Sequence, residues 1–132
     1  MATGLDPHVA EIDDVLASCD ACLVHLRGTE LFGTVIPSKV FETMAMNTPI
    51  IMGVRGQAQD IVLEGGGGVP MTPDDPQSLL AGIETIRRDR SRFAQGRDYV
   101  ARHYDRTRLA DEMLATLRRF GEPTTAPLPA AE

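Results

Sequence analysis

A short stretch near residue 40 combines residue types that suit the binding of a phosphorylated nucleotide. Pro37 and Ser38 open a predicted helix, whose first backbone N–H groups lack partners within the helix and attract anions. Ser38 adds a hydroxyl donor, and Lys39, the only lysine of the chain, adds a compact positive charge. Glu42 follows Ser38 by four residues, so it lies on about the same helix face, where a carboxylate can accept from two ribose hydroxyls.

These residues together predict a nucleoside-diphosphate site. The same spacing fits an ordinary helix start equally well, with the Lys39 ammonium solvated and the Glu42 carboxylate at the surface. Residue types and spacing alone therefore leave both interpretations open.

The composition excludes several classes of protein. The chain has 132 residues, of which 42 % are hydrophobic and 24 % charged, as is typical of one globular domain. Its net charge of −6 argues against nucleic acid as a partner, because phosphate contacts need clustered positive charge. No apolar run approaches the ~20 residues of a membrane span, and the first residues lack a secretory pattern. We therefore expect no transmembrane segment and a cytoplasmic location.

The sequence predicts no metal site. Cys19, Cys22 and His25 have ligand-like spacing, but a structural zinc site needs four ligands and the sequence offers no second cysteine pair. No pair of aspartates of the D-x-D type lies in a loop beside the predicted phosphate site. The chemistry is therefore expected to proceed without a metal ion.

The elements that must position these residues alternate between helix and strand. Three apolar runs predict buried strands, at Ala21–Leu26, Ile50–Val54 and Val69–Met71. The helices are predicted from Pro7, over 37–46, at Gln57–Leu63, around 79–86, at Ser91–Arg102 and at Arg106–Phe120. This order predicts an α/β fold, a Rossmann-like three-layer α/β/α arrangement with a short parallel sheet. Ligands of such sheets bind at the carboxyl ends of the strands, so the loops at 27–38 and 55–59 are expected to carry the site.

The ordered series of segments resembles a known family. The stretch VIPSKVFETMAMNTPIIMGVRGQAQDIV is similar to the donor-side motif of bacterial family 4 glycosyltransferases, which have the GT-B fold. The segments DACLVHL, GGGGVPMTPDDPQSLLAGIETI and YVARHYDRTRLADEML resemble the family's adjoining segments in the same order. The resemblance implies part of the C-terminal half of a GT-B enzyme. Residues 6–120 would form an incomplete donor-binding domain, and residues 121–132 a disordered tail.

The resemblance also implies a role for each matched residue. Glu42 corresponds to the family's second motif glutamate, which binds the nucleotide ribose, and Gly56 and Gln57 lie on the side of the donor sugar. The diphosphate would lie against Thr34, Val35, Ile36, Ser38 and Lys39. Thr34 stands where the family usually has its first glutamate, eight residues before the second. Glu30 therefore either reaches the donor-sugar side from a longer loop, or this subgroup lacks that carboxylate.

The function implied is transfer of a glycosyl group from a nucleoside-diphosphate sugar, with a UDP-sugar favoured and no cofactor. The sequence lacks the family's first strand–helix unit of the donor domain, which holds a basic pair that clamps the diphosphate, and it lacks the acceptor-binding domain. The expected partners are therefore the nucleotide-sugar donor and either a separate acceptor-binding domain or a second copy of the chain. Any peripheral contact with a membrane would run through the absent half.

Two other functions remain open. The chain could be a non-catalytic nucleotide-binding or partner domain, either a truncated product or one half of a split glycosyltransferase. It could also be a flavodoxin-like module for a different nucleotide, whose binding would not depend on Glu42.

Overall fold

Three short parallel strands form the centre of the fold in the computed structural model, which describes the backbone of residues 7–121 and the side chains from residue 12 onward. The strands are β1 (Cys22–His25), β2 (Ile50–Gly53) and β3 (Gly68–Pro70), and they lie in the order β1-β2-β3. Cys22 pairs with Ile50, and Ile50 pairs with Gly68. Of the tail expected at residues 121–132, Gly121 is the last residue of a helix and the rest lies outside the described residues.

The helices follow the predicted alternation with the strands. They are α1 (Pro7–Ser18), α2 (Lys39–Ala45), α3 (Gln57–Glu64), α4 (Pro76–Arg88), α5 (Gly96–His103) and α6 (Arg106–Gly121). Two short 3-10 turns lie at Leu31–Thr34 and Arg90–Phe93. Helices α2 and α3 connect consecutive parallel strands, as a parallel sheet requires.

Apolar side chains on both faces of the sheet create two cores. On one face, Ile50 and Met52 pack with Met44 of α2 and Val62 of α3. On the other face, Ile51 packs with residues of β3 and α4. Because consecutive side chains of a strand point to opposite faces, the uninterrupted apolar run of β2 fills both cores. The predicted three-layer α/β/α architecture is confirmed.

The prediction of one continuous helix over Ser91–Arg102 is wrong. The structure has a 3-10 turn ending at Phe93 and a separate helix, α5, starting at Gly96. Phe93 is buried in the core beside α4, whereas Tyr99 of α5 packs against the core on the opposite face of the sheet. The chain changes layers between these residues, and a straight helix cannot do so. Gly96 permits close packing on α2, since a Cβ there would lie 3.0 Å from the carbonyl oxygen of Met44.

Candidate functional site

The loops that follow the three strands meet at the carboxyl edge of the sheet and line a pocket of about 320 Å³. The loop after β1 supplies residues 27–30, Phe32 and Gly33, the loop after β2 supplies Val54 and Arg55, and the loop after β3 supplies Pro73 and Asp74. Ligands of parallel α/β sheets bind at this edge, because the loops that follow neighbouring strands converge there. The pocket is therefore a candidate binding site.

Four charged side chains line this pocket, and all four residues are exposed: Arg27, Glu30, Arg55 and Asp74. Neither arginine forms an ion pair with any described carboxylate. Phe32 adds an aromatic side chain beside them. Guanidinium donors and a carboxylate acceptor next to an aromatic ring suit a ligand that carries hydroxyl and anionic groups.

His25, the last residue of β1, links two of the loops that line the pocket. Its Nε2 accepts the backbone N–H of Asp74 at 3.1 Å, and Oδ2 of Asp74 accepts the N–H of Gly28 at 3.0 Å. The His25 ring reaches the loop after β3 by crossing the end of β2, where Gly53 is its register partner. A Cβ on Gly53 would lie 2.8 Å from Cδ2 of His25, so the ring occupies space that only a glycine leaves open.

The loops after β1 and β2 touch at Gly33 and Gly56. Gly56 has a φ of 86°, and a Cβ there would collide with the carbonyl oxygen of Gly33. Glycine is therefore required at position 56 both by backbone conformation and by the close approach of the other loop. This contact sets two predicted parts of the site side by side: the loop that continues into Thr34 and the turn that continues into Gln57.

The predicted phosphate- and ribose-binding side chains lie at the start of α2. Ser38, Lys39 and Glu42 are all exposed, and the Ser38 side chain makes no capping hydrogen bond. Among the described residues, neither Lys39 nor Glu42 takes part in an ion pair. The hydroxyl, the ammonium group and the carboxylate are therefore all accessible to a ligand.

Two hydrogen bonds lie within the loop that precedes α2. Oγ1 of Thr34 donates to the carbonyl oxygen of Leu31 at 2.8 Å, and the N–H of Val35 donates to the carbonyl oxygen of Phe32 at 3.3 Å. The Thr34 hydroxyl and the Val35 N–H therefore already donate to carbonyl oxygens within the loop. A diphosphate beside this loop would need other donors, such as the N–H of Ile36. Of the residues predicted for the site, Glu30 alone is among those lining the pocket.

Sequence reasoning missed four residues of this region: His25, Arg27, Arg55 and Asp74. The two arginines stand in or beside the loops at 27–38 and 55–59 that were expected to carry the site, so their position was a usable signal. The motif Thr72-Pro73-Asp74-Asp75-Pro76 has the pattern of a capped turn before a helix, and Asp75 does cap α4 by accepting from the N–H of Gln77 at 2.9 Å. Asp74, however, turns toward the pocket with a φ of 61°.

The sequence of the chain matches a known protein family. The sequence pattern of the family described as glycosyl transferases group 1 matches residues 4–89. The chain belongs to this family. This group 1 glycosyltransferase chain is 36 % identical over 80 residues to the probable glycosyltransferase WbjE of Pseudomonas aeruginosa, a match that covers 59 % of this chain and 20 % of WbjE.

Solved structures of GT-B glycosyltransferases share the fold of the group 1 chain. Anabaena Alr3699/HepE in complex with UDP has a TM-score of 0.69 at 22 % identity, covering 83 % of this chain and 30 % of that protein. The same protein in complex with UDP-glucose has a TM-score of 0.67 at 21 % identity, and the match covers 80 % of this chain and 29 % of that protein. Sucrose-phosphate synthase (tll1590) from Thermosynechococcus elongatus has a TM-score of 0.65 at 22 % identity, and the match covers 80 % of this chain and 26 % of that protein.

The group 1 chain therefore spans about a fifth of the Pseudomonas relative and less than a third of these solved proteins. Its fold corresponds to part of a GT-B glycosyltransferase. None of the helices in the described part of the chain is both long and apolar enough to cross a bilayer.

Proposed function

We propose that this chain supplies the nucleotide-sugar-binding part of a glycosyltransferase and that its ligand is a UDP-sugar. The observation that carries the proposal is the arrangement at the carboxyl edge of the sheet, where the loops after β1 and β2 touch and the exposed start of α2 follows along the chain. Anabaena Alr3699/HepE, which has this fold, is solved with UDP and with UDP-glucose, and this supports the choice of ligand class.

In this proposal Glu42 accepts hydrogen bonds from the ribose hydroxyls. Ser38 and Lys39 bind the diphosphate with a hydroxyl donor and a point charge, and residues 34–36 (Thr34, Val35 and Ile36) lie alongside it. Glu42 lies one turn after Ser38, so the Ser38 hydroxyl and the Glu42 carboxylate fall on about the same face at the start of α2. The accessible side chains described above support these roles.

The donor sugar would extend from the diphosphate toward Gly56, Gln57 and the pocket that contains Glu30. The contact between Gly33 and Gly56 places the turn at Gln57 next to the loop that precedes α2. The Glu30 carboxylate forms no ion pair with the described residues and can accept from sugar hydroxyls. This favours the longer-loop interpretation of Glu30 over loss of that carboxylate.

The reaction breaks the bond between the anomeric carbon of the sugar and an oxygen of the diphosphate, and the bonding electron pair leaves with UDP. The acceptor oxygen forms the new bond to the anomeric carbon, and the proton that it loses passes to solvent. Positive groups beside the diphosphate stabilise the charge that develops on the leaving group. This chain's contribution is donor binding and that stabilisation, and the acceptor would be bound by a separate domain or by a second copy.

The decisive experiment measures thermal stability of the chain with UDP, GDP, ADP and their sugars. A ligand that binds only the folded state, at about 100 times its Kd, adds about 2.7 kcal/mol and raises Tm by several degrees. We expect a selective rise with UDP and UDP-sugars that is lost in Glu42→Gln. The matched control is Asp13→Asn, which removes an exposed carboxylate from α1, remote in sequence from the loops of the site.

A rise that persists unchanged in Glu42→Gln would overturn the ribose role and favour the flavodoxin-like alternative. Selective binding that depends on Glu42 supports the donor site. Turnover after adding an acceptor-binding domain would then separate an enzyme from a non-catalytic nucleotide-binding domain.

A further inference from the structure

The bridge from His25 to Asp74 lies outside the ligand-binding set proposed above, yet it joins two of the three loops that line the pocket. We propose that His25 is a positioning residue: through the backbone N–H of Asp74 it fixes the loop that carries Arg27 and Glu30. The ligand side of this inference, a UDP-sugar whose sugar occupies the pocket, rests on the proposed function. The coupling between the loops rests on the geometry alone.

Three contacts connect the loops in series. Nε2 of His25 accepts the N–H of Asp74 at 3.1 Å, and Oδ2 of Asp74 accepts the N–H of Gly28 at 3.0 Å. Gly28 also packs closely on Pro73, since a Cβ on Gly28 would lie 3.2 Å from Cβ of Pro73. Gly28 directly follows Arg27 and stands two residues before Glu30. A displacement of Asp74 therefore moves the backbone that presents both of these charged side chains.

The imidazole acts in this bridge as an acceptor. Nε2 accepts the N–H of Asp74 at 3.1 Å and lies 3.5 Å from Oδ1 of the same residue. Both contacts of this nitrogen therefore lead to Asp74 in the loop after β3. The geometry assigns His25 to holding that loop.

Gly53 provides a second observation for the same arrangement. The ring of His25 crosses the end of β2 to reach the loop after β3, and a Cβ on Gly53 would lie 2.8 Å from Cδ2 of His25 and 3.1 Å from Cγ of Met71. A methyl group at position 53 would push the His25 ring away from Asp74, while the substitution itself leaves every charged and polar residue of the chain in place. Gly53→Ala is therefore an independent way to break the bridge.

The experiment compares three variants of the full 132-residue chain. His25→Leu removes the acceptor, His25→Gln restores a polar acceptor at similar reach, and Gly53→Ala displaces the ring. The matched control is His103→Leu on α5, a helix whose residues do not line the pocket. Amide hydrogen exchange of Gly28 and Asp74 is followed by NMR, and affinities for UDP and UDP-glucose are measured by calorimetry.

We expect His25→Leu and Gly53→Ala to raise exchange at both amides about threefold to tenfold, the range of a single lost hydrogen bond. UDP-glucose should lose affinity by a similar factor while UDP binding stays the same, because only the sugar reaches the pocket. His25→Gln should return both values toward those of the unaltered chain, which a purely structural loss would not do.

Unchanged exchange at Gly28 and Asp74 in His25→Leu would overturn the inference, as would equal losses for UDP and UDP-glucose in all three variants. Should His25→Leu fail to fold, Gly53→Ala and His25→Gln decide the same question. Failure of the unaltered chain to bind UDP or UDP-glucose overturns the proposed function instead. In that case faster exchange in the variants still supports the loop coupling.

Discussion

Lys39 is the first residue of α2 and directly follows Ser38. Its ammonium group forms no ion pair with any described carboxylate. An ammonium group interacts with a phosphate as a point charge and has little to offer a neutral nucleoside. We expect Lys39→Ala to lower affinity for UDP about tenfold while uridine affinity stays within about twofold, since hydrogen bonds to charged groups contribute ~1.5–3 kcal/mol. Calorimetry with both ligands tests this.

The control for Lys39→Ala is Arg119→Ala, which removes an exposed positive charge near the end of α6. Equal losses for UDP and uridine would show that Lys39 supports the fold or the nucleoside and not the phosphates.

Gly56 is the residue on which the approach of two site loops depends. It has a φ of 86°, and any side chain would meet the carbonyl oxygen of Gly33. We expect Gly56→Ala to lower the free energy of unfolding by at least ~1 kcal/mol, because both backbone strain and a collision with backbone atoms oppose it. Urea unfolding measures this, with Gly121→Ala as the control, since a Cβ on Gly121 meets nothing within 4 Å. Equal stability of the two variants would contradict the contact.

At the scale of elements, α5 is attached to the layer of α2 and α3 by Tyr99. Oη of Tyr99 donates to Oε2 of Glu64 at 3.2 Å, and its ring lies 6.0 Å from that of Tyr104. Burial, followed by the hydrogen bond to Glu64, raises the pKa of Tyr99 to about 12. The folded state therefore retains this proton at a pH where an unfolded chain, with a tyrosine pKa of about 10, loses it.

The raised pKa of Tyr99 makes the free energy of unfolding depend on pH in the alkaline range. The contribution of Tyr99 to stability is fully present below about pH 10 and is lost as the pH rises from about 10 through about 12. We expect Tyr99→Phe to remove this part of the alkaline decline in stability. Urea unfolding at several pH values between 9 and 12 measures the decline. An identical decline in the variant would contradict the assignment.

At the scale of the whole molecule, both outer strands of the sheet, β1 and β3, have an unpaired edge in the described part of the chain. β1 pairs with β2 alone there, which leaves backbone groups on its other edge unpaired. Leu23 on β1 is 45 % exposed and lines, with Met71 and Leu79, a shallow pocket of about 230 Å³. Open strand edges with apolar side chains promote association between chains.

We expect the chain to self-associate with rising concentration, and Leu23→Lys to weaken that association because it places a charge on the open edge. Sedimentation equilibrium provides the measurement. Leu63→Lys, which changes a leucine of similar exposure on α3, serves as control. Equal weakening by both variants would indicate a general effect of charge and not pairing at β1.

The order of elements could be predicted because strand and helix leave different local patterns. The apolar run around Ile50 and Ile51 fits a strand covered on both faces, and the spacing of Leu79, Ile83 and Ile86 fits one face of α4. The break between Phe93 and Gly96 could not be predicted in this way, because residues 91–102 retain a helix-like pattern. Only the position of the two cores requires the chain to change layers there.

The alternating α/β order, the family and the polar residues at the start of α2 follow from the amino-acid sequence, because each depends on local spacing or on an ordered series of motifs. Which loops touch and which side chains share the pocket depend instead on the three-dimensional packing of the elements. His25 and Asp74 are 49 residues apart, and their bridge exists only because β1, β2 and β3 lie side by side with a glycine at the end of the middle strand. Contacts across a parallel sheet have no fixed sequence spacing, so no local pattern could have shown them.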